Sequence, residues 1–205
     1  MMKIMFQNKK NLFLLIASTI LTTTAQAGLF QITPNIGYRN LTLKATDILN
    51  NSSETESNNL FYGLKLGLMS GSGINFDIAG SLSSGKAKST LSGFETEQDL
   101  NHKIISASLG VTAMNTFKIF LGYIFIDELT IKTPSVPLSQ IELTGPGFLV
   151  GVGVHMTQSI SATLQYDVHQ FNQVKLESVG QFQDIKTAYE KLDTQSISLG
   201  LGMTF

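Results

Sequence analysis

From Phe30 the chain alternates: Phe30, Ile32, Pro34, Ile36 and Tyr38 are apolar, and Gln31, Thr33, Asn35, Gly37 and Arg39 between them are polar or small. A strand points successive side chains to opposite faces, so this parity predicts a strand with one apolar and one polar face. The pattern returns at Leu60, Tyr62, Leu64, Leu66 and Leu68, at Ile74, Phe76, Ile78 and Leu82, and at Ile105, Ala107, Leu109, Val111 and Ala113. Further strands follow at Phe117, Ile119, Leu121, Tyr123 and Phe125, then at Phe148, Val150, Val152 and Val154. The last two are Ile160, Ala162, Leu164, Tyr166 and Val168, and Ile197, Leu199, Leu201, Met203 and Phe205. None of these apolar positions carries a charge, as expected of a lipid-facing surface where Lys or Arg costs about 2–4 kcal/mol near the bilayer midplane.

The connections alternate in length. Ser70-Gly71-Ser72-Gly73, Met114-Asn115-Thr116 and Met156-Thr157-Gln158-Ser159 are tight, whereas residues 44–59, 84–101, 127–140 and 170–194 read as long polar loops. Short turns on one side and long loops on the other predict an all-β, eight-stranded antiparallel up-and-down transmembrane β-barrel with both termini on the short-turn side. A hairpin hidden in residues 170–194 would raise the count to ten. Ile141 and Leu143 differ in parity from Phe148 and Val150, which predicts a β-bulge at Gly145-Pro146-Gly147.

The start of the chain adds an address. Lys3, Lys9 and Lys10 precede an apolar stretch and then Ala25-Gln26-Ala27, the three-part pattern of a secretory signal peptide. The expected organisation is therefore a signal peptide over residues 1–27 and one outer-membrane barrel domain over 28–205, with no further module after Phe205. The apolar stretch is short for a membrane-spanning helix. With no Cys there is neither a lipidation site nor a disulfide. Cleavage would leave 11 basic against 15 acidic side chains, a mildly acidic chain that is a poor match for nucleic acid.

The polar faces decide what the interior holds. An eight-stranded barrel is just wide enough for side chains to fill, and the inward positions mix Arg39, Phe61, Lys65, Asp77, Lys118, Phe120, His155, Asp167 and His169 with many Gly and Ser. Buried charges need partners, so Lys65 with Asp77 and Arg39 with Asp167 are the expected lumen ion pairs. Tyr38, Tyr62, Tyr123 and Tyr166 fall near one end of their strands on the outer face and are expected to form an aromatic girdle at the lipid interface.

Catalytic chemistry finds little support. His169 with Asp167, or His102 with Asp99 and Ser106, are the triad candidates, yet no serine nucleophile closely follows His169. Three His on separate strands make no metal spacing, and no cofactor is expected. Gly151-Val152-Gly153 is a pair of inward glycines rather than a phosphate loop, since no helix follows.

The final strand, ending on Phe205 with apolar residues at every second position before it, resembles the C-terminal strand of bacterial outer-membrane barrels, where a terminal Phe is the assembly signal. Together with the signal peptide and eight-strand pattern, the chain resembles the small outer-membrane β-barrel family that includes the OmpA transmembrane domain, OmpX and the neisserial surface proteins. That resemblance implies a monomer in the bacterial outer membrane, in contact with its lipids, lipopolysaccharide and the barrel assembly machinery. It further implies a structural or surface-interaction role, in envelope integrity or adhesion, through extracellular loops whose ligand the sequence does not name. The alternative is a small channel or a transporter of small hydrophobic molecules similar to the OmpW group, kept open by Phe120, Ile124, Ile126 and Leu149 along one side of the interior.

Overall fold

Strand alternation carries nearly the whole chain into one sheet that closes on itself. The computed structural model describes residues 29–47, 52–91, 94–114, 116–133, 139–157, 159–178, 180–187 and 189–204. The strands are β1 (Leu29–Asp47), β2 (Ser52–Met69), β3 (Ile74–Leu91), β4 (Phe94–Ala113), β5 (Phe117–Lys132), β6 (Ile141–His155), β7 (Ile160–His169), β8 (Gln173–Leu176), β9 (Phe182–Asp184) and β10 (Tyr189–Met203). Strands β1 to β7 pair in sequence, β7 pairs with β10 and β10 with β1, which makes an antiparallel ring of eight. The expected signal peptide, residues 1–27, and Phe205 lie outside the described residues.

The strands are far longer than a membrane requires. The β1–β2 ladder runs unbroken from Leu29 opposite Met69 to Thr46 opposite Ser52, and β3–β4 from Ile74 opposite Val111 to Leu91 opposite Phe94. About 9–11 residues cross a bilayer, so strands of 18 and 20 residues project well beyond it. Much of what the sequence presents as loops at 44–59, 84–101 and 127–140 is therefore wall. The connection at 170–194 is also built into it: β8 extends the ladder on β6, β9 pairs with β8, and a short 3-10 helix at Ile185–Thr187 leads into β10.

The long strands hide because their chemistry inverts. On β5, Leu121 points outward and is 68% exposed, whereas Leu129 points inward and is 0% exposed. Above the tyrosines, Leu41, Leu43, Ala87, Leu100, Leu129, Leu143, Phe171 and Val174 fill the interior, while Lys44, Glu54, Lys86, Glu97, Lys103 and Glu128 pair on the outside. That is the inside-apolar order of a water-soluble protein. Below, the outside is apolar and the inside mostly polar, as in a membrane barrel, apart from one buried cluster of Ile104, Phe120, Ile124 and Leu149.

This inversion also corrects the bulge at Gly145-Pro146-Gly147. Strand β6 keeps one parity, with Leu143, Gly147, Leu149 and Gly151 all buried. The change from Leu143 to Phe148 is a change of which face is apolar. The irregularity lies across from Pro146 on β5, where Ile124 pairs with Gly147 and Asp127 with Gly145, so two residues oppose one. It shifts the inward positions of β5 from Ile124 to Asp127, Leu129 and Ile131. At the short-turn end, Gly73 occupies the left-handed region (φ 84°), which glycine adopts without strain.

Candidate functional site

The interior is layered. In the lower layer the carboxylate of Asp77 on β3 is bonded by the ammonium of Lys118 on β5. The expected partner Lys65, on the adjacent strand, lines the same cavity without making that bond, which goes to Lys118, two strands from Asp77 past β4. Asn75 beside them donates to Thr112 Oγ1 at 2.7 Å. Two aromatic rings take up space above: Phe61 under the Arg39 guanidinium, 5.1 Å from its centroid, and Phe120 beside Lys118, at 5.9 Å. Glycines admit them. A Cβ at Gly37 or Gly151 would come within 2.8 Å of the Phe61 or Phe120 ring, respectively. What is left is a cavity of about 70 Å³ between Arg39, Lys65, Asp77, Phe120 and Gln165, room for a few waters.

A polar belt divides this layer from the apolar interior above. Asp127 accepts from both His102 on β4 (Nε2 to Oδ1, 2.6 Å) and His169 on β7 (Nδ1 to Oδ2). The Nε2 of His169 faces Ser196 Oγ of β10 at 3.4 Å, and that hydroxyl donates to Asp167 Oδ2 at 2.8 Å. Gln165 also donates to Asp167, at 2.7 Å. Arg39 donates to Ser81 Oγ at 3.2 Å and lies in the fields of Asp167 and Asp127. It makes no direct ion pair with Asp167 among the described residues. His102, Asp127, Asp167, His169 and Ser196 are all 2% exposed or less, and Phe171 stacks on His169 from above, 8° from parallel.

Sequence reasoning misses this belt. It pairs His169 with Asp167 and His102 with Asp99, but the carboxylate that gathers both rings is Asp127. The bulge on β5 turns Asp127 inward at the edge of a stretch that looks like a loop. The serine that His169 meets comes from β10, 27 positions further along. A Ser196–His169–Asp127 order thus exists, sealed from solvent and with its hydroxyl already committed to Asp167. On the outer surface Tyr38, Tyr62, Tyr123 and Tyr166 all face away from the lumen, Tyr123 against Phe148 in an edge contact at 5.3 Å.

A family profile described as "Outer membrane protein beta-barrel domain" matches residues 13–205. The chain belongs to that family. This barrel accordingly resides in the bacterial outer membrane. Among solved structures it is similar to Ail, the attachment invasion locus protein of Yersinia pestis, in complex with the heparin analogue sucrose octasulfate, at 10% identity over 86% of this chain and 99% of that one, TM-score 0.56. It is similar also to the outer membrane protein AlkL in lipid bilayers, at 14% identity over 85% and 90% of the two chains, TM-score 0.54. Neisserial surface protein A matches at 14% identity over 87% and 99%, TM-score 0.50. At these identities the likeness speaks for the fold. No curated protein matches the sequence.

Proposed function

We propose that this barrel is a surface-interaction protein: a closed membrane anchor that holds a rigid, packed extracellular barrel above the lipopolysaccharide. The observation that carries this reading is the extracellular apolar interior, with Leu41, Leu100 and Leu129 each at most 1% exposed. Packing of that kind makes the projecting strands a fixed platform, and rigid scaffolds are where binding loops are best positioned. Below the platform, the polar belt and the Phe61 and Phe120 rings fill the lumen, which supports a structural over a conducting role. Ail was solved with a sulfated ligand, but here Lys44, Lys86 and Lys103 each bond a glutamate. That pairing occupies three of the cations on the projecting strands, which supports a protein or neutral glycan over a polyanion as the occupant.

Single-channel recording of the refolded barrel in planar bilayers tests the reading. Silence, or rare small openings, is the expected result. Steady conductance that changes in Asp77→Ala or Arg39→Ala would overturn it and make the lumen a pathway, as would permeation of a small apolar solute through the wild type. The terminal Phe205 is taken as the signal for the assembly machinery, and its deletion should lower the heat-modifiable folded form in outer-membrane fractions; undiminished folding would remove that role.

A further inference from the structure

His102, Asp127 and His169 come from β4, β5 and β7, and their ligating atoms all lie within 4.8 Å of one another in a setting with essentially no solvent exposure. We propose that His102 Nε2, His169 Nδ1 and the Asp127 carboxylate bind one divalent transition-metal ion of the zinc class, which ties three strands together at the boundary between the two halves of the barrel.

The direction of the neighbouring hydrogen bonds supports the assignment. Asp167 is an acceptor, so the Ser196 hydroxyl spends its proton on Asp167. The Oγ of Ser196 faces the Nε2 edge of His169 at 3.4 Å. The remaining ring nitrogen, Nδ1, points at a carboxylate oxygen of Asp127. One metal ion held between the two ring nitrogens and the carboxylate would take the place of the hydrogens that now bridge them. The outer chain from His169 through Ser196 to Asp167 is the kind of support that fixes the tautomer and orientation of a metal-ligating imidazole.

The donor set selects the metal. Two imidazoles with a carboxylate suit zinc and its transition-metal neighbours, whereas calcium and magnesium favour all-oxygen shells. His102 Nε2 and His169 Nδ1 each face one oxygen of the same Asp127 carboxylate, so both rings present a nitrogen toward one group. Ligands at about 2.0–2.2 Å from a tetrahedral ion are roughly 3.4 Å from each other. His102 Nε2 and Asp127 Oδ1, now 2.6 Å apart, must therefore separate by less than about 1 Å. With three protein ligands, the fourth position is left to a water. Burial under Phe171 means that the ion enters while the strands assemble rather than afterwards.

The test uses the untagged full-length mature barrel, refolded into detergent micelles with equimolar CoCl₂ or ZnCl₂ and then dialysed. Expected are one ion retained per barrel, visible absorption typical of low-coordinate cobalt, and a higher unfolding midpoint in zinc than in EDTA. His102→Gln and His169→Gln should weaken retention at least tenfold, while His155→Gln, near the opposite end, should match the wild type. If the variants fail to fold, the wild-type cobalt spectrum and the zinc-minus-EDTA midpoint decide alone. Retention no greater than in His102→Gln, or identical midpoints in zinc and EDTA, would overturn the proposal and leave Asp127 as a hydrogen-bond acceptor between the two rings.

Discussion

The two halves of this barrel are built from the same strands with opposite rules. In the membrane half, Ile36, Leu121 and Val152 face lipid and the interior is mostly polar, with the Asp77–Lys118 pair beside one small apolar cluster around Ile124. In the projecting half the interior is Leu41, Leu129, Leu143 and Val174, and the outside carries charged cross-strand pairs. The solvent outside dictates which face is apolar, and backbone pairing is indifferent to the choice. Only a register change on β5 and a ring of buried polar groups mark where one rule gives way to the other. The difference teaches that hydrophobic alternation reports the environment of a strand, not only its existence.

The largest effect expected is in the membrane half. Asp77→Ala strands the Lys118 ammonium among buried groups and should cost about 3–5 kcal/mol. Adding Lys118→Ala should restore part of that loss, because the double variant buries no unpaired charge. Urea unfolding in micelles measures both. A double variant as unstable as the sum of its parts would show that the two residues do not act as a pair.

The projecting half should break differently. Leu129→Ala opens a void in a packed apolar core and should cost about 2–5 kcal/mol, with hydrogen exchange accelerating in the upper strands while the amides of the membrane half stay protected. Loss of protection in both halves together would mean that they fold as one unit. A third substitution reverses the environments: Leu121→Arg, harmless on the outside of a soluble barrel, should cost about 2–4 kcal/mol on the lipid face. Lys103→Leu, outward in the projecting half, should leave stability nearly unchanged in the same assay.

This contrast also explains what was legible in the sequence. Lipid demands an uninterrupted apolar face, so the membrane strands at Phe30, Leu60, Phe117 and Ile197 stand out by parity alone, and the eight-strand ring follows from them. The upper strands carry Asn40, Thr42 and Lys44, or Lys86 and Lys88, on their outer face, a composition shared with solvated loops. Their inward Leu41, Leu43 and Ala87 signal a core only to a reader who lets the apolar face change sides. Asp127 was hidden twice, by that inversion and by the bulge at Phe125. Lys118 as the partner of Asp77 depends on reach past β4, which adjacent-strand reasoning does not address.

The smallest effect expected separates the two halves by pH. On the projecting β3–β4 hairpin, Lys86 bonds Glu97 at 2.5 Å in full solvent. That hydrogen bond holds the Glu97 carboxyl below its usual range and raises the Lys86 ammonium above its own. A depressed carboxylate stabilises above its unfolded pKa of about 4.3 and loses the contribution as pH falls through its lower folded value; a raised lysine contributes below about 10.4 and loses it as pH rises through its higher folded value. The pair is therefore fully effective between those limits. Exposed pairs of this type contribute little and are screened by salt, so the expected change is a faster amide exchange of the hairpin at pH 3 than at pH 6, once corrected for intrinsic rates. It should be weakened by salt and absent in Glu97→Gln. The core around Leu129 is held by apolar contacts, with its neighbours His102 and His169 on the polar belt below, so its packing should respond less to the same acid step than the hairpin does. Exchange that accelerates equally at the hairpin and around Leu129 would show instead that the charged exterior and the apolar interior of the projecting half open together.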